Sequence, residues 1–100
     1  MAYQVSWLDA ALLDLEGIVE FIFLDSPAYA SVVAARVLAE ARLLCEFPRI
    51  GRCVPEWDDE NIRERIIYSY RLIYQVGDGE ITILAVIHGA RNLPDEIRNR

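Results

Sequence analysis

Three side chains in this sequence are of the types that metal-free cleavage of RNA requires. That reaction needs a base for the 2′-hydroxyl, an acid for the departing 5′-oxygen and a cation for the phosphorane charge. Glu56, His88 and Arg71 could fill those roles. A histidine titrates near neutrality and can serve as acid or base. An arginine fork suits the non-bridging oxygens of a phosphate. His88 is the only histidine of the chain, and Glu56 follows Pro55 in its one long irregular stretch. Each of the three also has a plain structural reading. Glu56 can pair with Arg52 or Arg63, Glu64 can hold Arg71, and His88 can satisfy a carbonyl at a strand end.

Arg71 and His88 must be positioned by the two apolar runs that flank Gly77-Asp78-Gly79-Glu80. The first run alternates as Tyr70, Leu72, Tyr74 and Val76. The second, residues 81–87, is a nearly unbroken β-branched run. Asp-Gly between two such runs is a strong hairpin signal. A two-residue Asp78-Gly79 loop pairs Gly77 with Glu80, so Ile73 should face Leu84, Arg71 should face Val86 and Ser69 should face His88. Arg71 and His88 would then share a sheet face, one diagonal step apart. A three-residue loop would put them on opposite faces, because the side-chain period is two.

Upstream, residues 3–7 alternate and predict a short strand. Asp9 is the expected N-cap of a helix reaching about residue 25. Leu8, Leu12, Leu15, Val19 and Ile22 form one apolar stripe on it, expected to face the core. Leu13, Ile18, Phe21 and Leu24 make a second, which either the next helix or another chain must cover. Ser26-Pro27 is a capping residue followed by proline at the first helical position. The second helix should run to about residue 47, with Ala30, Val33, Val37, Ala41 and Leu44 inward. The short link makes the two helices an antiparallel hairpin. Residues 48–61 are irregular and hold Arg49, Arg52, Glu56 and an exposed-looking Trp57. Residues 62–67 form the next strand, turning tightly near Tyr68-Ser69 into the hairpin. The tail after His88 could be an edge strand, a short helix or loose.

The order strand, helix, helix, strand, strand, strand predicts an α+β fold. A helical hairpin would cover one face of a three-stranded antiparallel sheet that follows the N-terminal strand. The sheet's other face would be open and concave. One hundred residues, 54% of them hydrophobic, make one domain over 1–100 with only modest burial in reserve. The net charge is −6, and all ten basic residues are arginine. The acidic balance argues against broad non-specific nucleic-acid binding, which leaves a basic footprint. Cys45 and Cys53 have neither disulfide-framework nor zinc spacing, and are expected to be reduced and structural. No metal or cofactor is expected. Without an export signal or a run near the ~20 apolar residues of a membrane span, the expected location is the cytoplasm.

In this order the chain resembles the RelE/ParE superfamily of bacterial type II toxin–antitoxin modules. The resemblance rests on Asp14-Leu15, Ile18 and Phe21-Ile22; on Ser26-Pro27; and on Pro48-x-x-Gly51-Arg52-x-Val54-Pro55-Glu56. Arg63-Glu64, Tyr70-Arg71-Leu72-Ile73-Tyr74 and Ile81-x-Ile83-Leu84-x-Val86-x-His88-x-x-Arg91 complete it. The Pro-x-x-Gly-Arg-x-Val-Pro-Glu and Tyr-Arg-x-Ile-Tyr pieces look closer to the ParE-like branch. The resemblance implies a growth-inhibiting toxin of plasmid-stabilisation type, neutralised by a cognate antitoxin encoded beside it. It also implies a target that is either DNA gyrase or, in RelE-type members, messenger RNA on the ribosome. Glu56, Arg71 and His88 fall where some RelE-type ribonucleases carry glutamate, arginine and histidine. A relative that binds antitoxin without being toxic is the third possibility.

For a protein target the candidate surface is Arg49, Arg52, Trp57, Arg91 and Arg98, with Arg100 beside them. Tryptophan and arginine are enriched at binding hot spots. Packing of Trp57 over the sheet edge is the structural alternative. For the antitoxin the candidate surface is the second stripe, Leu13, Ile18, Phe21 and Leu24, over which an amphipathic helix could lie.

Overall fold

A computed structural model describes residues 2–100 of the chain; position 1 lies outside the described residues. The elements are β1 (Gln4–Trp7), α1 (Asp9–Asp25), α2 (Pro27–Leu43), β2 (Arg52–Cys53), β3 (Ile62–Ile67), β4 (Tyr70–Val76), β5 (Glu80–His88) and α3 (Asp95–Arg98). They form a single five-stranded sheet of order β1-β5-β4-β3-β2, in which only β1 and β5 run parallel. The class is α+β, as expected, but the sheet is wider than the hairpin and its neighbour. The N-terminal strand closes one edge, and the short β2, inside the stretch read as irregular, closes the other.

The helical hairpin forms where the cap signal places it. Ser26 Oγ accepts the N–H of Tyr29 at 3.1 Å and Pro27 begins α2. The inward stripe of α2 is the expected one: Ala30, Val33, Val37, Ala41 and Leu44 are all buried. Helix α2 ends at Leu43, short of the expected 47, because Leu44, Cys45 and Glu46 tighten into three-residue turns. Helix α1 departs twice from expectation. Its N-cap is Leu8, whose side chain cannot cap, and Asp9 is the first helical residue. Its buried line runs through Ala11, Leu15 and Ile22, leaving Leu12 46% exposed. One residue is about 100° of helix rotation, and the fully buried neighbour Ala11 takes the face that Leu12 would have taken.

Two cores result. Between helices and sheet lie the α1 and α2 stripes with Ile67, Leu72, Tyr74, Val76, Ile81, Ile83 and Val86. The opposite face is not open, as the element order alone suggested. Val54 and Trp57 from the irregular loop, with Leu93 and Ile97 from the tail, bury Ile62, Ile73, Leu84, Ala85 and Ile87 there. The inner strands are apolar on both faces and so require cover on both. Gly51 allows the loop to close over the sheet. A Cβ at that position would stand 2.5 Å from the Glu64 carbonyl oxygen, and the Gly51 N–H donates to Tyr74 Oη at 3.0 Å.

Candidate functional site

Glu56 and Arg71 are brought together, but His88 does not join them. The hairpin begins as expected: Gly77 N–H donates to the Glu80 carbonyl at 2.7 Å, Gly79 takes φ +72°, and Val76 pairs with Ile81. A β-bulge then intervenes. Tyr74 pairs with Ile83 but Ile73 with Ala85, so Leu84 is an extra residue. Leu84 and Ala85 both enter the outer core, which no regular strand allows for neighbours. Beyond the bulge Arg71 faces Ile87, and His88 faces Tyr70 rather than Ser69. The expected common face for Arg71 and His88 is therefore wrong. The one-residue insertion sends their side chains to opposite sides of the sheet.

On the outer side, Arg71 is 5% exposed and four of its five N–H donors are engaged. Nε donates to Glu64 Oε1 at 2.6 Å; Nη1 and Nη2 donate to the two Glu56 oxygens, each at 2.8 Å; Nη1 also reaches the Arg91 carbonyl at 3.1 Å. Glu64, 1% exposed, receives Arg52 Nε at 2.6 Å on its second oxygen. Glu56 further accepts the Leu93 N–H at 2.9 Å. The Arg71 hydrogen bonds, aided by the Leu93 N–H, outweigh desolvation and pull the Glu56 carboxyl from its ordinary 4.5 down to about 2. The same pairing raises the already high pKa of Arg71. A carboxylate this acidic is a poor base near neutrality. The chain Arg52–Glu64–Arg71–Glu56–Leu93 ties the irregular loop and the tail to the sheet.

On the inner side, His88 is exposed at the mouth of a cleft of about 380 Å³ between α1 and the end of β5. Its Nδ1 accepts the Ala90 N–H at 3.2 Å, and its ring stands edge-on to Tyr70 at 5.7 Å. Leu13, Gly17, Ile18 and Phe21 form the apolar wall of the cleft, and Arg91 also lines it. The second stripe of α1 is not hidden by α2: Leu13 is 65%, Phe21 71% and Leu24 82% exposed. Ile18 alone of the four is half-buried and packs on the inner core.

The arginines proposed for a target surface are mostly engaged. Arg49 donates to Asn61 Oδ1 at 2.9 Å, Arg52 holds Glu64, and Arg98 lies 5.7 Å over the Trp57 ring. Trp57 itself is 7% exposed within the outer core. It packs under the tail and is not a free hot spot. Arg91 is exposed and makes no ion pair among the described residues. The pairing of Asp14 with Arg100 escaped the sequence reading. Asp14 accepts the Val86 N–H at 3.2 Å and Arg100 Nη1 at 2.8 Å, while Arg100 also reaches the Leu84 carbonyl at 2.8 Å. Together they satisfy the backbone at the bulge. An acid amid Leu12, Leu13 and Leu15 was the available signal.

Comparisons with known proteins agree with this architecture. The family model of the ParE toxin of the type II toxin–antitoxin system parDE matches residues 5–93. Toxin RelE2 of Caulobacter vibrioides is 35% identical over 89 residues, covering 88% of this chain and 97% of that protein. Among solved structures, a chain of the chromosomal ParDE system from P. aeruginosa superimposes with a TM-score of 0.71 at 19% identity, covering 87% of this chain and 96% of that one. A mutant of E. coli toxin RelE in the free state gives 0.69 at 21% identity, covering 99% and 93%. The toxin–antitoxin complex RelBE2 from Mycobacterium tuberculosis gives 0.59 at 21% identity, covering 88% and 99%. At such identities the structures speak for the fold; the family match and the Caulobacter relative speak for kinship. The chain belongs to the ParE toxin family of type II toxin–antitoxin systems.

Proposed function

We propose that this toxin inhibits growth by docking on a protein target, DNA gyrase, and is silenced by an antitoxin seated on the exposed stripe of α1. One observation carries the choice of docking over RNA cleavage. The only histidine lies across the sheet from an arginine that Glu56 and Glu64 hold through three hydrogen bonds. A nuclease of the expected kind needs acid, base and cation around one phosphate. Here the cation is locked in an ion network and the base is held far below neutral pKa. The match to the ParE family supports the gyrase target that the resemblance implies. The antitoxin surface is supported by Leu13, Phe21 and Leu24, which stand exposed where a lone small domain would hide them.

Purified toxin titrated into a gyrase supercoiling reaction tests the reading, with translation monitored in parallel. Inhibited supercoiling with intact translation is expected. Normal supercoiling at excess toxin sinks the gyrase target. If translation stops first and His88→Ala relieves toxicity, the chain is a ribonuclease after all. Unimpaired growth on strong expression without antitoxin would leave a protein that only binds its partner.

A further inference from the structure

Helix α2 is apolar on its outward face as well as its inward one. The inward line, Val33, Val37, Ala41 and Leu44, is buried in the inner core. At about 100° per residue, Ala28, Ser31, Val32, Ala35, Leu38 and Ala39 gather within about 60° of the outward direction. All of them are exposed, Val32 by 49% and Leu38 by 40%. A helix face turned to water ordinarily carries the charged residues. On α2 the charges lie elsewhere. Glu40 receives Arg36 at 3.2 Å and Arg65 of β3 at 3.0 Å, and Arg36 also lies over the Tyr68 ring. Only Arg42, in the last turn, stands on the outward face.

The order of side-chain sizes along this face is self-complementary. Suppose a second α2 is laid antiparallel against it with Ala35 on the two-fold axis. Val32 then falls beside Ala39 of the other copy, Leu38 falls beside Ser31, and Ala35 meets its own counterpart. Each large side chain meets a small one, and the small residues let the helix axes approach to about 8 Å. Arg42 comes level with Ala28 of the other copy, one turn from the exposed Asp25 that ends α1. An ion pair is within reach there. The two-fold makes every one of these contacts twice, as an isologous interface requires. A helix of some other protein could cover the apolar strip, but the fit of this face to itself, in size and in charge, selects a second copy.

We propose that the toxin forms a two-fold dimer through the outward face of α2, centred on Ala35. One helix face is smaller than the roughly 800 Å² per partner of a standard interface, so the dimer is weak and forms as concentration rises. The contact uses none of the residues assigned above to the antitoxin or to gyrase.

Sedimentation equilibrium of the full toxin across the micromolar range tests this. The mass should climb from that of one chain towards that of two. Ala35→Glu sets two carboxylates against each other on the axis and should weaken the dimer at least tenfold. Ser31→Leu, placed against Leu38, should weaken it as well while melting no lower than the parent. Arg42→Asp and Asp25→Arg should each weaken it and, combined, restore it. Within one chain these two residues lie at opposite ends of α2, so the rescue can come only from contact between copies. A single-chain mass at the highest concentration overturns the proposal, and so does a dimer that Ala35→Glu leaves intact. Loss of antitoxin binding in Ala35→Glu at an unchanged melting temperature would give this face to the antitoxin instead.

Discussion

Replacing Glu56 by glutamine separates a structural carboxylate from a catalytic one. In the folded chain its pKa is lowered from 4.5 to about 2, chiefly by the paired hydrogen bonds from Arg71. A tenfold change in proton affinity corresponds to 1.36 kcal/mol, so this lowering is worth roughly 3 kcal/mol of folding stability at neutral pH. The side chain is 24% exposed, and solvent screening reduces the figure to about 2 kcal/mol. For a domain of this size that is a fall of roughly 10 °C in Tm. Because the folded pKa is depressed, the contribution is fully present above pH 4.5 and disappears as pH falls towards 2. Urea unfolding of the parent and Glu56→Gln at pH 7 and again at pH 3 measures it. The difference should be about 2 kcal/mol at the higher pH and shrink at the lower. Equal stability at pH 7, or a gap that widens on acidification, would refute the network argument and reopen a chemical role for Glu56.

Other perturbations follow from the same contacts. Trp57→Ala should cost about 3–5 kcal/mol by chemical denaturation, as for a core tryptophan, whereas an interface tryptophan would leave the isolated fold untouched. Gly51→Ala should destabilise severely, since its Cβ meets backbone at 2.5 Å; a soluble protein melting at the parent temperature would contradict this. Tyr74→Phe strands the buried Gly51 N–H and should cost about 1–3 kcal/mol, read from the urea midpoint. Phe21→Asp, at a side chain 71% exposed, should shift stability by no more than about 1 kcal/mol while abolishing tight antitoxin binding in a calorimetric titration.

Local signals in the sequence decided much of this fold. Ser26-Pro27 starts α2, Ile62 to Ile67 is the strand expected, and Asp78-Gly79 turns the hairpin. The α2 stripe is correct in every member, because a helix with one apolar face has one way to bury it. These features depend on neighbours in the chain, and neighbours can be read from order alone. The second stripe of α1 was legible as surplus apolar surface for the same reason.

What the chain order could not convey is which long-range contacts win. Whether Ala11 or Leu12 faces the sheet depends on how closely α1 lies on β5. Trp57 looked available because the loop that carries it is irregular, yet Leu93 and Ile97 come from some forty residues later to cover the outer face with it. The decisive case is Leu84. No residue type announces a bulge within an unbroken apolar run, and either register keeps apolar residues against both cores. The shifted register is the one in which Asp14 and Arg100 satisfy the backbone at the disrupted pair while Leu84 and Ala85 both enter the outer core. That shift carries His88 away from Arg71, since side chains alternate faces and one inserted residue reverses every one beyond it.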